Sequence, residues 1–274
     1  MNKIILYLVI LFLLYICFVS SNTFDNSVHK LKLYDFIDDN YKLKTYNYNE
    51  LDKIIYPCIV KPIYCSGRNI NVKKINNRND LNFILKNNKE YMIQDFYNSK
   101  YEAGLLYERI PFFNTGKIIS IVLKKKDYMW QPLKCGNVKN NESTICINMD
   151  ELITDKLTKK INNICLKIPY FYVGRFDIGF DDINELKNGL NFKIYELNGN
   201  MGFDLRTNIT KNDGKKIYKM ILILRFVFTR ILIGLINIVY NKKIFINNIV
   251  CTKKRFDNCK LCQDWELIFS PSVA

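Results

Sequence analysis

Residues 171–202 read FYVGRFDIGFDDINELKNGLNFKIYELNGNMG, and their two β-type runs leave few folds open to the chain. Side chains alternate between the faces of a strand, so in YVGRFDIGF the residues Arg175 and Asp177 share one face while Phe176 and Ile178 take the other. The second run, FKIYELNG, puts Glu196 and Asn198 on one face and Tyr195 and Leu197 on the opposite one. Paired as neighbours across the connection at 181–191, the two strands would bring three oxygen donors and one guanidinium into a small volume.

Such a cluster suits Mg²⁺ with phosphate. Mg²⁺ takes hard oxygen ligands and is usually held by one or two carboxylates plus the phosphates of a substrate. Asp177, Glu196 and Asn198 would supply that partial shell, and Arg175 would brace a transferring phosphoryl group or a developing oxyanion. The same pattern also fits a hairpin with a polar outer face, on which Arg175 and Asp177 form solvated ion pairs.

The chain opens MNKIILYLVILFLLYICFVSS, with Lys3 ahead of an unbroken apolar run from Ile4 to Val19. At a rise of about 1.5 Å per residue that run spans roughly 24 Å, slightly short of a hydrocarbon core. The basic start and the Val19-Ser20-Ser21 end fit a cleaved signal peptide. The length of the run and the bulky Tyr15, Cys17 and Phe18 near its exit favour an uncleaved single-pass anchor over residues 4–20, so the membrane is an expected partner. Lys3 favours a cytosolic amino end and hence a lumenal domain, whereas cleavage would give a secreted or lumenal chain.

Without residues 1–21 about 250 remain, enough for one large or two small cores. The net charge of +15 would ordinarily point to nucleic acid or an anionic surface. Here the excess is lysine scattered among asparagine and isoleucine, not a stripe, so nucleic acid is not an expected partner.

Residues 22–56 are polar, tyrosine-rich and weakly periodic, too few for a full subdomain of their own. From 56 to 75 the chain reads YPCIVKPIYCSGRNINVKKI: a short strand bracketed by Pro57 and Pro62, a loop with Ser66 and Gly67, then a second strand. Lys61 lies inside the first strand, where an ammonium costs free energy unless it finds a partner such as phosphate. The Ser66-Gly67 loop would offer backbone N–H groups to phosphate oxygens, although it matches neither the P-loop nor the Rossmann pattern. A surface hairpin with a snorkelling lysine is the plainer alternative. A helix at 79–88 and three β-rich segments follow, which together suggest an antiparallel α+β unit. Gln94 and Glu102 are polar residues within apolar strands, facing either solvent or the adenine and ribose of a nucleotide.

The succession IVKP, a Ser-Gly loop, a strand with QDF, an early glutamate on the next strand, GRFDIGF and YELNGNMG resembles the ATP-grasp superfamily. The likeness is greatest to the ATP-grasp domain of D-alanine:D-alanine ligase-like carboxylate–amine ligases, and it covers residues 56–206. It implies an α+β fold in which two lobes with antiparallel sheets hold ATP between them, with a nucleotide lobe at 57–126, a variable loop at 127–148 and a metal and catalytic lobe at 149–241. It implies ATP and Mg²⁺, the metal as two ions, with Mn²⁺ as an alternative. Lys61 would contact the α-phosphate and adenine side, and Ser66 and Gly67 would lie in the flap. Gln94 would stand where the family often has a glutamate facing the adenine amino group, with Asp95 and Phe96 at the interlobe hinge and Glu102 on the ribose. Asp177, Glu196 and Asn198 match the metal triad, Arg175 the arginine two before its first member, and Arg206 would face the reacting carboxylate.

The implied reaction activates a small-molecule or peptide carboxylate as an acyl phosphate for attack by an amine. A kinase-like phosphotransferase and a non-catalytic, membrane-tethered nucleotide-binding protein are the alternatives. The sequence departs from the family in having only about 35 residues between the leader and the IVKP strand, and in Gly199-Asn200-Met201-Gly202 after the last ligand in place of Pro-Gly. Residues 150–166 read as a helix with Leu152, Ile153, Leu157, Ile161 and Ile164 inward. Residues 215–240 read as a second, with an apolar stripe at Ile217, Ile221, Leu224, Phe228, Ile231, Leu235 and Ile238, buried against the sheet or lying on a membrane surface. In the tail at 242–274, Cys251, Cys259 and Cys262 lack a fourth ligand for Zn²⁺. The only histidine, His29, lies outside every motif.

Overall fold

The computed structural model describes residues 3–19, 35–63, 72–86, 91–124, 146–168, 171–199, 204–209 and 216–240. Two antiparallel sheets carry the fold. The smaller is built from β1 (Thr45–Tyr46), β2 (Cys58–Pro62), β3 (Lys73–Ile75) and β4 (Tyr91–Asp95), in the order β1-β4-β2-β3. Residues 22–56, which show little periodicity, thus contribute an edge strand to it.

Alternation divides this small sheet into two faces. Cys58, Val60, Ile75, Ile93 and Tyr46 point to one side, where Leu81 and Leu85 of the helix α2 (Arg78–Lys86) close a small core. Asn77 starts that helix, accepting from the Asp80 N–H at 3.0 Å, a side-chain cap on an otherwise unsatisfied donor. Ile59, Lys61, Met92 and Gln94 fall on the opposite face, with Lys61 paired across from Met92 and Ile59 from Gln94.

The larger sheet comprises β5 (Tyr101–Arg109), β6 (Gly116–Lys124), β7 (Cys146–Asn148), β8 (Val173–Phe180) and β9 (Phe192–Asn198), in the order β7-β6-β5-β8-β9. The segment expected as a loop at 127–148 therefore ends in an edge strand paired with β6. Behind the sheet lies the main core. Leu105, Tyr107, Phe176, Ile178, Phe180, Phe192 and Ile194 meet Leu157, Ile161, Ile164 and Cys165 of α3 (Asp155–Lys167). Burial of each large side chain contributes about 1.5–3 kcal/mol. Thr154 caps α3 by accepting from the Leu157 N–H, so this helix begins later than the apolar spacing alone suggests, after a short turn at Asp150–Leu152. Between β8 and β9 the connection holds a helical turn, α4 (Ile183–Lys187), capped by Asp182.

The last described helix, α5 (Lys216–Tyr240), turns a different face inward from the one its apolar stripe suggests. Leu222, Phe226, Arg230 and Ile233 are buried, whereas Leu224 and Phe228 are 59% and 67% exposed. The cause is an ion pair. Glu108 of β5 is buried, and Arg225 Nη2 reaches its Oε2 at 2.6 Å while Arg230 Nη1 lies 3.9 Å from its Oε1. Neutralising that carboxylate fixes the rotation of the helix, because an unpaired buried charge costs more than exposed apolar surface.

The expectation of a membrane anchor is overturned: among the described residues no helix is long and apolar enough to cross a membrane. The N-terminal helix α1 (Lys3–Val19) has 17 residues, about 25 Å against a hydrocarbon core of about 30 Å. It packs along α5 instead. The longer α5, of 25 residues, carries Arg225 and Arg230 near its middle, both committed to Glu108.

Candidate active site

The polar face of the larger sheet is assembled by register. Asp177 on β8 stands opposite Glu196 on β9 and Gly104 on β5, and Arg175 stands opposite Asn198. One step further along, Glu102 on β5 pairs with Lys124 on β6. These side chains share the face turned away from the main core, so four polar side chains and the Lys124 ammonium surround Asp177.

Their contacts are specific. Lys124 Nζ donates to Glu102 Oε1 at 2.9 Å and to Asp177 Oδ1 at 3.2 Å. Arg175 holds both oxygens of Asp177, Nε to Oδ1 and Nη2 to Oδ2, each at 3.2 Å. Asn198 Nδ2 adds a third donor to Oδ2 at 3.2 Å. Burial works to raise the Asp177 pKa, but Arg175 and then Lys124 outweigh it and hold the carboxyl at about 2. Burial likewise opposes the charge on Lys124, and Asp177 with Glu102 pulls its pKa upward. Arg175 is shifted the same way, by Asp177 first and with Glu196 and Glu102 contributing. The cluster is thus charged on both sides and dense in oxygen donors and cations.

The sequence alternation goes wrong at one residue. A β-bulge between Asp177 and Ile178 inserts Tyr195 as an extra residue in β9, since Asp177 pairs with Glu196 while Ile178 pairs with Ile194. Tyr195 and Glu196 consequently share the polar face, instead of lying on opposite ones. The Tyr195 ring lies over Gly179, where an added Cβ would come within 2.0 Å of the phenol oxygen, and that oxygen sits 2.6 Å from Ser99 Oγ. The Tyr195 carbonyl accepts from Lys61 Nζ at 2.8 Å. Lys61, only 7% exposed, therefore reaches from the smaller sheet to the strand that bears Glu196 and Asn198. The face of the smaller sheet with Lys61, Met92 and Gln94 is the one turned toward the larger sheet.

The remaining expected residues divide. Gln94 lies on this facing surface, 1% exposed. Phe96 follows on the connection to β5, under the ammonium of Lys74 at 4.2 Å. Asp95 points to the other side, accepting from Tyr46 Oη at 2.5 Å. Glu102 is engaged with Lys124. Arg206 is clamped by Asp204 (Nη2 to Oδ2, 2.7 Å) and Asp150 (Nη1 to Oδ2, 2.9 Å), and Asp204 also accepts from Ser120. Ser66 and Gly67 lie outside the described residues, as do Cys251, Cys259, Cys262 and His29. Lys124 was not foreseen. It begins the run Lys124-Lys125-Lys126, which reads as a solvated charge cluster until the register sets it against Glu102.

Among the described residues no group of three or more His, Cys, Asp and Glu side chains is placed to hold a metal ion. Asp177 and Glu196 supply two carboxylates. Asn198 adds a carbonyl oxygen once its amide turns, a rotation that costs only its bond to Asp177. Two carboxylates and an amide make an incomplete shell, which suits an ion that brings phosphate oxygens and water with it.

No protein-family model matches the chain, and no curated protein matches it. Solved structures do. It is similar to D-alanine–D-alanine ligase from Bacillus anthracis complexed with ATP, at 15% identity and TM-score 0.47, over 75% of this chain and 66% of that one. It is similar to L-amino acid ligase from Bacillus licheniformis at 15% identity and TM-score 0.46, over 65% of this chain and 41% of that one. Carboxyaminoimidazole ribonucleotide synthase from Aspergillus clavatus, complexed with ATP, is similar at 11% identity and TM-score 0.43, over 63% and 44%. This chain spans less than two thirds of the length of each.

Proposed function

We propose that the space between the two sheets binds ATP with Mg²⁺ and that the protein is a carboxylate–amine ligase. The observation that carries this is the convergence on Asp177: two further oxygen donors, Glu196 and Asn198, and two cations, the partly buried Arg175 and the buried Lys124, lie on one sheet opposite the Lys61 ammonium of the other. A surface ion-pair patch would not bury these charges, and a purely structural network would not need so many.

Each residue then has a role in chemistry that asks the protein mainly for positioning and charge. Asp177, Glu196 and Asn198 would hold the ion. Held there, Mg²⁺ would supply positive charge to offset what builds on the phosphate oxygens. Arg175 and Lys124 would release Asp177 in part and pair with the transferring phosphoryl group, at sites where burial strengthens each interaction. Lys61 would exchange the Tyr195 carbonyl for a phosphate oxygen, an ammonium trading a neutral acceptor for an anionic one. A substrate carboxylate oxygen bonds to the γ-phosphorus as the bond to ADP breaks. An amine nitrogen then attacks the acyl carbon, and inorganic phosphate leaves as the amine loses its proton.

The test is a screen of ADP release by the full chain with Mg²⁺ against pools of carboxylates and amines, with Asp177→Asn and Glu196→Gln as controls. Release that requires both a carboxylate and an amine, and that falls at least about a hundredfold in both variants, is expected. Equal release from the parent and both variants would remove the site. Stable phosphorylated product without any amine would make the protein a phosphotransferase.

A further inference from the structure

The bulge in β9 decides where Glu196 and Asn198 point. Phe192 and Ile194 are buried in the main core. Regular alternation continued from them would send Glu196 and Asn198 into that core as well, and would turn Leu197 out to the polar face. The strand does the reverse. Leu197 is buried in the main core, while Glu196 stands opposite Asp177 and Asn198 opposite Arg175. One extra residue, Tyr195, makes the switch, so the aim of both oxygen donors depends on where the bulge is held.

Tyr195 is fastened from three other elements. Its ring lies over Gly179 of β8, where the missing side chain leaves the room: an added Cβ would come within 2.0 Å of the phenol oxygen and 2.3 Å of Cζ. Its hydroxyl lies 2.6 Å from Ser99 Oγ and 3.2 Å from the Tyr97 carbonyl, both in the connection that joins the two sheets. Ser99 is itself buried, and its Oγ donates to the Tyr101 carbonyl at 2.8 Å. A bulged residue stands outside the pairing of the ladder, so its backbone needs partners elsewhere, and Lys61 of β2 donates to the Tyr195 carbonyl at 2.8 Å. We infer, resting on the nucleotide and Mg²⁺ reading above, that Tyr195 is a positioning residue: seated on Gly179 and tied to Ser99, it locks the bulge and thereby aims Glu196 and Asn198 at the metal. Without the ring the extra residue can migrate along β9, and each step of that kind turns a ligand toward the core. Groups that orient metal ligands in this way affect metal affinity without touching the ion.

Calorimetric titration of the full chain with ADP, with and without Mg²⁺, tests this, because the ratio of the two affinities isolates what the ion adds. In the parent Mg²⁺ is expected to tighten ADP at least about tenfold. Tyr195→Ala should reduce that gain to about threefold or less while the affinity for ADP alone stays within about twofold of the parent. A general loss of structure would instead scale both affinities alike and leave their ratio unchanged. Tyr107→Phe is the control: it removes a buried hydroxyl, bonded to Asn162, from the core face of the same sheet, and should keep the gain of the parent. Tyr195→Phe keeps the ring over Gly179 but drops the tie to Ser99; it should cut the gain about threefold, and it decides the matter if the alanine chain does not fold. A deciding variant that keeps the ratio of the parent, or a Tyr107→Phe chain that loses it to the same extent, overturns the inference and leaves nucleotide binding standing. A parent that does not bind ADP, or binds it no tighter with Mg²⁺, overturns the nucleotide and metal reading and this inference with it.

Discussion

Replacing Asp177 with asparagine keeps the shape of the side chain and removes the charge that Arg175 and Lys124 surround. The carboxyl sits at about 2 in the folded chain against an ordinary 3.8. The folded value is the lower one, so the ionised form stabilises the fold above the unfolded pKa, and that contribution is lost as pH falls toward the folded value. At roughly 1.4 kcal/mol per pKa unit the contribution is on the order of 2 kcal/mol at pH 7. The same linkage leaves roughly half of it at pH 3, where both the folded and unfolded carboxyl have begun to bind protons. Urea unfolding of parent and Asp177→Asn, followed by far-ultraviolet circular dichroism, should therefore show a stability gap of about 2 kcal/mol at neutral pH that narrows by about 1 kcal/mol at pH 3. A gap that stays constant with pH would mean that the asparagine costs stability through packing and that the charges around Asp177 are not coupled to it. No gap at all at pH 7 would show that the cluster is solvated.

Other outcomes follow from particular contacts. Glu108→Leu removes the carboxylate that Arg225 and the fully buried Arg230 face, and should cost about 3–5 kcal/mol in urea unfolding, much of it recovered in the Glu108→Leu, Arg230→Met double variant. Gly116→Ala would bring a Cβ within 2.1 Å of the Tyr107 hydroxyl, which is fixed on Asn162, so chemical denaturation should show a loss of about 1–3 kcal/mol. Lys124→Met should weaken MgATP binding about tenfold or more by calorimetry, with little change in secondary structure by circular dichroism. Chelation of Mg²⁺ should remove most of the increase in Tm that ATP confers in thermal unfolding, because Asp177 and Glu196 without the ion repel the triphosphate.

The polar floor was legible at Arg175, Asp177 and Asn198, because period-two alternation within an unbroken strand is a local property. It failed at Tyr195, where one inserted residue changes the face of everything before it and no local signal marks the bulge. Lys124 was hidden for a different reason. Its role comes only from a register set by strands 22 and 53 residues away in the chain, at Glu102 and Asp177. The inward face of α5 was misjudged because the counting of apolar spacing gave arginine no weight. Glu108, within a strand that otherwise reads as core, decides which side of that helix is buried. The smaller sheet shows the reverse case: Lys61 was readable as an ammonium in need of a partner, but the partner it has, a backbone carbonyl freed by the bulge, depends on tertiary structure.

The bond from Lys61 to the Tyr195 carbonyl ties the smaller sheet to the larger one. Drawing the sheets apart would break a charge-assisted bond at a group only 7% exposed, so the pair resists separation. The tie falls on the residue that the bulge inserts, beside Glu196, so any change in the register of β9 would be felt in the smaller sheet.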